Sequence, residues 1–438
     1  MKILLFPTRF FPAISGGDFY LQRLGKEFLK INKVNLKQSQ NQILFLTTNA
    51  LDFGALHGKG KIIVENHRYY EKFENLSIKR FKSSQNNQKN GNFQENFYLQ
   101  ELCSKYLGLS HEISEILIKN GPILRDLDKL LLSKQFEKIL PFKPDVIHCT
   151  YLPYSNLLYS LIIAKYFNIP SIVTPFLHDS NLRYQNQEIF EILKKFDKII
   201  ACTNHEKNLY ISNGIKEEKI HVFPMGIDIN RFQKDCRSDF LKYYSIKSPI
   251  LLFCGHKNYE KGALTILDTI PLVIKKYPNI SFIFIGSPTK AFNYKYGKIR
   301  KNYPSLQFIN ISPDNLSGIF DPQKIGAFQL TDIFCMPSRS DAYGIVYLEA
   351  WACKKPVIGV DNDSMREVIE HEKDGILVKF DDVEDLKNAI INLLKNPKKR
   401  KEMGENGFLK VSNLNNWNEI GIKTMQIYTQ IRKTSKNE

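Results

Sequence analysis

Short, uninterrupted apolar runs separated by amphipathic stretches constrain this chain most. Lys2–Phe6, Gln42–Thr47, Asp145–Cys149, Ser171–Thr174, Lys198–Cys202 and Lys219–Phe223 form a first series. Ile250–Cys254, Ser281–Ile285, Leu306–Ile311, Asp332–Met336, Pro356–Val360 and Gly375–Val378 form a second. Most are continuously apolar rather than alternating, as strands buried on both faces are. The stretches between them have helical periodicity. Repeated βα units building parallel sheets, an α/β class, are therefore predicted.

The two series part at Pro224-Met225-Gly226-Ile227-Asp228, and a polar stretch from Asn230 to Ser248 follows. At roughly 100–200 residues per domain, 438 residues hold two or three domains. The predicted division is 1–229, 230–412 and a helical segment 413–438 that crosses back to the first domain. Residues 82–96 are poor in apolar side chains and read as a mobile surface insertion.

Composition narrows the classes. No apolar run reaches the ~18 residues a bilayer requires. The opening Lys2–Phe6 run is cut by Pro7, Thr8 and Arg9, so it reads as a strand rather than a leader. Seven scattered cysteines without a CxxC pair suggest reduced thiols, no zinc site and a cytoplasmic protein. The net charge of +17 fits nucleic acid, an anionic membrane or a phosphorylated substrate, and equally a lysine-rich composition. The helix predicted over Phe19–Lys33 mixes apolar residues with Arg23, Lys26, Lys30 and Lys33. It suits peripheral contact with an anionic membrane at its inner face, or a crossover helix packed on its own sheet; the second reading is favoured.

Two loops carry the chemistry. Gly255-His256-Lys257-Asn258-Tyr259-Glu260-Lys261-Gly262 joins a buried strand to a helix. Such a loop lies at the carboxyl edge of a parallel sheet, before a helix whose free N–H groups and dipole favour anions. Lys257 and Lys261 are expected to add mobile positive charge, as a departing diphosphate requires. The second loop, Met336–Gly344, ends another strand and precedes a helix near Ile345. Asp341 in that loop and Glu349 in the early helix could accept hydrogen bonds from sugar hydroxyls. Helix-end electrostatics and loop capping explain each carboxylate as well. In the first series, Gly16-Gly17 follows the opening strand and lets backbone approach a ligand. His178, in Thr174-Pro175-Phe176-Leu177-His178-Asp179, sits past a strand's carboxyl end. No GxGxxG occurs, so no dinucleotide cofactor is expected.

Asp341-x7-Glu349, followed by Ala350-Trp351-Ala352-Cys353-Lys354-Lys355-Pro356-Val357-Ile358, resembles the E-x7-E region of family 4 glycosyltransferases. Gly255–Gly262 is similar to that family's G-R-x-x-x-x-K-G loop, and Pro224–Asp228 to its P-x-G-[VI]-D segment. The resemblance is dense over 144–410 and thin over 50–140. It implies the GT-B fold, two Rossmann-like doubly wound domains facing each other across a cleft. It implies transfer of a sugar from a nucleotide diphosphate sugar to a hydroxyl of a glycan or lipid-linked acceptor, with retention and without a metal or other cofactor, as in polysaccharide biosynthesis. By the same resemblance Lys261 contacts the diphosphate, Asp341 the donor sugar and Glu349 the ribose. Tyr343, Gly344 and Ile345 offer backbone N–H groups, Gly286 and Ser312 line the base, and Gly16, Gly17 and His178 border the donor sugar.

Three departures stand out. His256 occupies the phosphate-loop arginine position, so either Lys257 replaces that charge or His256 binds with pH dependence. Asp341 is one methylene shorter than the usual Glu. Asp361-Asn362-Asp363-Ser364 replaces a glycine-rich segment. Asp361-x-Asp363 also has the form of a metal-holding DxD pair, but its place late in a second parallel sheet speaks against a metal. Two other classes compete: a basic, non-catalytic nucleic-acid binder, disfavoured because its charge is dispersed, and a nucleotide-sugar epimerase, which would release nucleotide without an acceptor-dependent product.

Overall fold

The structure, a computed structural model, describes residues 1–11, 13, 16–34, 41–56, 60–63, 76–83 and 97–437. Most of the insertion expected at 82–96 lies outside the described residues. The chain divides into two compact units, Met1–Phe223 with Trp417–Glu438, and Pro224–Asn416.

The first unit holds a seven-stranded parallel sheet. Its strands are β1 (Lys2–Phe6), β2 (Gln42–Thr48), β3 (Leu76–Phe81), β4 (Val146–Thr150), β5 (Ser171–Thr174), β6 (Lys198–Ala201) and β7 (Ile220–Val222). They run in the order β3-β2-β1-β4-β5-β6-β7. The sequence reading lacked β3. This edge strand, Leu-Ser-Ile-Lys-Arg-Phe, mixes polar and apolar residues, and among the described residues one of its edges has no strand to pair with.

The helix Gly16–Val34 buries Tyr20, Leu21, Leu24 and Phe28. It packs on β4 and on the helix Trp417–Asn437, so its apolar stripe serves the first unit's own core. Arg432 on that last helix pairs with Asp145 at 2.9 Å. Among the described residues, no helix is long and apolar enough to cross a membrane.

The second unit holds six parallel strands: β8 (Ile250–Cys254), β9 (Ser281–Ile285), β10 (Phe308–Ile311), β11 (Ile333–Cys335), β12 (Val357–Val360) and β13 (Gly375–Val378). Their order is β10-β9-β8-β11-β12-β13. The units divide after Phe223 and after Asn416, where the sequence reading placed breaks after 229 and 412. The helix Pro397–Leu414 runs on through Ser412, whose hydroxyl donates back to the Phe408 carbonyl at 2.8 Å. Where the chain enters and leaves this unit it is stitched to itself. Ile227 N donates to Asn415 O at 3.0 Å, and Asn415 Nδ2 to Met225 O at 2.5 Å.

One buried polar contact reports on the first unit's core. His148 on β4 has Nδ1 2.6 Å from Tyr428 Oη and Nε2 2.8 Å from Thr174 Oγ1. Burial lowers its imidazole to about 3. The unfolded imidazole titrates near ~6.5, so between these values the unfolded state binds the extra proton and stability falls as pH drops. About 1.5–2 kcal/mol should be lost between pH 6.5 and pH 5 from this group alone. Urea unfolding across that range should show the slope, and His148→Asn should flatten it.

Candidate active site

In the second sheet the chain runs outward from β8 through β9 to β10, then returns to lay β11 on the other side of β8. The loops after β8 and β11 therefore leave adjacent strands in opposite directions, and such a switch point is where open α/β sheets form a binding crevice. The two loops meet here. Arg339 N donates to Glu260 O at 2.7 Å, and Lys261 Nζ lies 2.8 Å from Asp341 Oδ2 and 3.3 Å from Ser340 O. Asn258 Oδ1 accepts from Lys261 N at 2.9 Å and shapes the turn. Gly262 has φ +72°, and a Cβ there would fall 2.4 Å from Pro337 O, so the contact between the loops needs glycine. Lys261 and Asp341, far apart in sequence, thus form one half-buried ion pair at the switch point.

Gly344, at φ +76°, leads into the helix Ile345–Ala352, which has no side-chain N-cap. Tyr343 Oη accepts from Asn415 Nδ2 at 3.1 Å. Glu349 is 2% exposed. Its Oε1 accepts from Lys324 Nζ at 2.6 Å, and its Oε2 has no hydrogen-bond partner. Among the described side chains of the second unit, that oxygen is the one buried polar atom so placed. Burial raises the Glu349 carboxyl and the Lys324 charge opposes it. Burial lowers the Lys324 ammonium, but the Glu349 carboxylate, with Cys254 and Asp321 adding to it, leaves it raised.

Other expected residues behave differently. Lys257 is not a mobile cation. Its backbone pairs with the β9 end, where Lys257 N donates to Ser287 O at 2.8 Å, and this directs the side chain under the loop. There Nζ donates to Ile311 O at 2.8 Å and to Asn310 Oδ1. Burial lowers that amine to about 8. His256 is at the surface, 3.0 Å from Asn258 Nδ2 through Nδ1. Local desolvation and the Lys261 charge push its imidazole down, so it is neutral at pH 7. Lys261 is left as the loop's accessible cation.

Gly286, at φ +136°, would place a Cβ 1.8 Å from Gly255 O, so its glycine serves the contact between strand ends. Ser312 is half-buried at the carboxyl end of β10. Asp361 and Asp363 are engaged by Arg366, at 2.7 and 3.3 Å.

In the first unit the switch point lies between β1 and β4. Asn156 ties it together, donating to Phe6 O at 3.1 Å and accepting from Thr8 Oγ1 at 3.2 Å. Gly16 and Gly17 are not in a loop; they are the first two residues of the helix Gly16–Val34. The next residue, Asp18, in the helix's first turn, accepts from Arg9 N and Arg9 Nε, both at 3.0 Å. His178 follows β5 beyond Phe176, whose φ of +55° is uncommon for a bulky residue. Its ring lies 5.2 Å from that of Tyr184. Buried Glu206 holds the backbone before it, accepting from Leu177 N at 3.0 Å, from Cys202 N at 2.6 Å and from Tyr210 Oη at 2.5 Å.

Sequence reasoning missed Glu206 and Lys324. Thr203-x-x-Glu206 has the form of a capping box, and Thr203 Oγ1 does accept from Glu206 N at 3.1 Å, so one signal existed. Lys324 had none.

Two family descriptions match the chain, Glycosyltransferase Family 4 over residues 100–231 and Glycosyl transferases group 1 over residues 244–410. The chain belongs to the family 4 glycosyltransferases. The two parallel sheets are those of the GT-B fold. It is similar to the D-inositol 3-phosphate glycosyltransferase of Pseudarthrobacter chlorophenolicus, 26% identical over 53% of this chain and 55% of that protein. It is also similar to the N,N'-diacetylbacillosaminyl-diphospho-undecaprenol alpha-1,3-N-acetylgalactosaminyltransferase of Campylobacter jejuni, 24% identical over 51% and 58%. The chain spans about half the length of the curated relatives it matches. Anabaena HepE, solved in complex with UDP-glucose, shares the fold with a TM-score of 0.66 at 15% identity, over 97% of this chain and 99% of that one.

Glu206→Gln replaces an acceptor oxygen by a donor facing a backbone N–H group. A loss of about 1–3 kcal/mol of stability is expected, read as a lower urea midpoint.

Proposed function

We propose that this chain moves a sugar from a nucleotide diphosphate sugar to a hydroxyl of a glycan or lipid-linked acceptor, with retention and without a bound metal. One observation carries the reading: the Lys261–Asp341 ion pair where the loops after β8 and β11 meet. An ion pair is a poor use of two groups in a half-buried site unless something exchanges with it. A donor can do so, because its diphosphate takes the ammonium and a hydroxyl of its sugar takes the carboxylate. Each charge keeps a partner before and after binding.

As the glycosidic bond lengthens, negative charge grows on the diphosphate. Lys261 and the N-terminal N–H groups of the helices Ala263–Ile274 and Ile345–Ala352 are placed at the same sheet edge to offset it. The acceptor oxygen attacks from the face the diphosphate leaves, and that diphosphate accepts its proton. A trapped covalent sugar on a side chain would contradict this route. Gly16, Gly17 and His178 belong to the sugar side of the reading, and Gly286 and Ser312 to the base side. UDP-glucose is the first donor to try, given the ligand of HepE, and the name of the Campylobacter jejuni relative directs attention to lipid diphosphate acceptors. All seven cysteines are free thiols, which fits a cytoplasmic enzyme.

Thermal shift with UDP, GDP and ADP and their sugars, with and without EDTA, should single out one base and be insensitive to the chelator. Lys261→Ala should lower kcat/KM about 100- to 1000-fold while leaving the melting temperature near that of the parent. Unchanged transfer by that variant, or loss of binding on adding EDTA, would overturn the corresponding assignment.

A further inference from the structure

Lys324 stands in an unusual place. It is the third residue of the helix Pro322–Leu330, whose first turn is capped by Asp321 Oδ1 accepting from Gln323 N at 2.8 Å. A cation near a helix N-terminus works against the helix dipole. The residue is also only 8% exposed, although lysines are seldom buried. Both costs are met by one contact, the 2.6 Å ion pair with Glu349 on a different helix. Lys324 Nζ also lies 3.3 Å from Ile319 O, which fixes its direction. The helix Pro322–Leu330 packs on β8 and on the helix Ile345–Ala352, so the pair adjoins the switch point.

The asymmetry of the pair is the informative part. Lys324 occupies Oε1 alone, and Oε2 is buried with no partner. A carboxylate oxygen kept out of water without a donor costs about 1–3 kcal/mol or more, so such an atom asks for an explanation. We infer that Lys324 is a positioning residue: by holding Oε1 it leaves Oε2 of Glu349 as the acceptor for a hydroxyl of the donor's ribose. This rests on the reading of the second unit as the nucleotide-binding one. It adds that ribose recognition depends on a residue outside both sequence motifs. Lys324 also cancels the Glu349 charge, so the carboxylate can sit near a diphosphate without repelling it.

The test is calorimetric titration with UDP, GDP and ADP, each beside its 2′,3′-dideoxy counterpart, on the full chain. For a nucleotide that binds, the parent should prefer the ribose form about 10- to 100-fold, as one hydrogen bond to a charged acceptor implies. Glu349→Gln should cut that preference to about 2-fold or less, and Lys324→Met should do the same, with Lys324→Arg recovering part of it. Should Lys324→Met fail to fold, Lys324→Gln, which keeps a donor but no charge, is expected to give an intermediate preference. A merely structural lysine would weaken ribose and dideoxy forms alike. Loss of preference in Glu349→Gln but full preference in the folded lysine variants overturns the role of Lys324 and leaves the site standing. Full preference in Glu349→Gln, or no binding of any nucleotide, overturns the site itself.

Discussion

Strands buried on both faces leave a chain few places for polar chemistry. Helices pack on each sheet, and a backbone group buried inside a sheet has to be paired. What remains is the row of loops at the carboxyl ends, which parallel crossovers put on one edge. In both units the strand order reverses once, between β1 and β4 and between β8 and β11. The loops flanking each reversal diverge, and in the second unit the Lys261–Asp341 pair lies at its reversal.

Two ion pairs at that edge do different work. Lys261–Asp341 is half-buried and joins the two loops that a ligand would part. Lys324–Glu349 is nearly sealed, joins two helices, and leaves one carboxylate oxygen unpartnered. A half-buried pair can exchange partners at modest cost, because water and ligand compete for the same charges. A sealed pair cannot, since separating it strands a charge in a poor solvent. The first is suited to open on binding and the second to stay closed and orient.

Much of this was legible beforehand. Continuous apolar runs such as Ile250–Cys254 and Ser281–Ile285 have one economical use, and the loops at their ends follow from it. Lys261 and Asp341 stood out because loop and spacing together made a pattern neither made alone. What was not legible depended on where long side chains go. Lys257 and Lys261 look alike in sequence, yet the backbone of one pairs with the β9 end and buries its amine beside Ile311. Gly16 and Gly17 read as loop, but they open the helix Gly16–Val34, whose first turn is tied to Arg9 through Asp18. The edge strand β3 escaped notice because an edge does not demand apolar residues on both faces. Lys324 escaped because its meaning lies in a partner 25 residues away on another helix.

A crystal structure of the chain with a bound nucleoside diphosphate tests the central claim most directly. The account predicts the diphosphate between the loops after β8 and β11, with Lys261 Nζ moved from Asp341 onto a phosphate oxygen. A nucleotide lodged elsewhere, with the Lys261–Asp341 pair still intact, would contradict it.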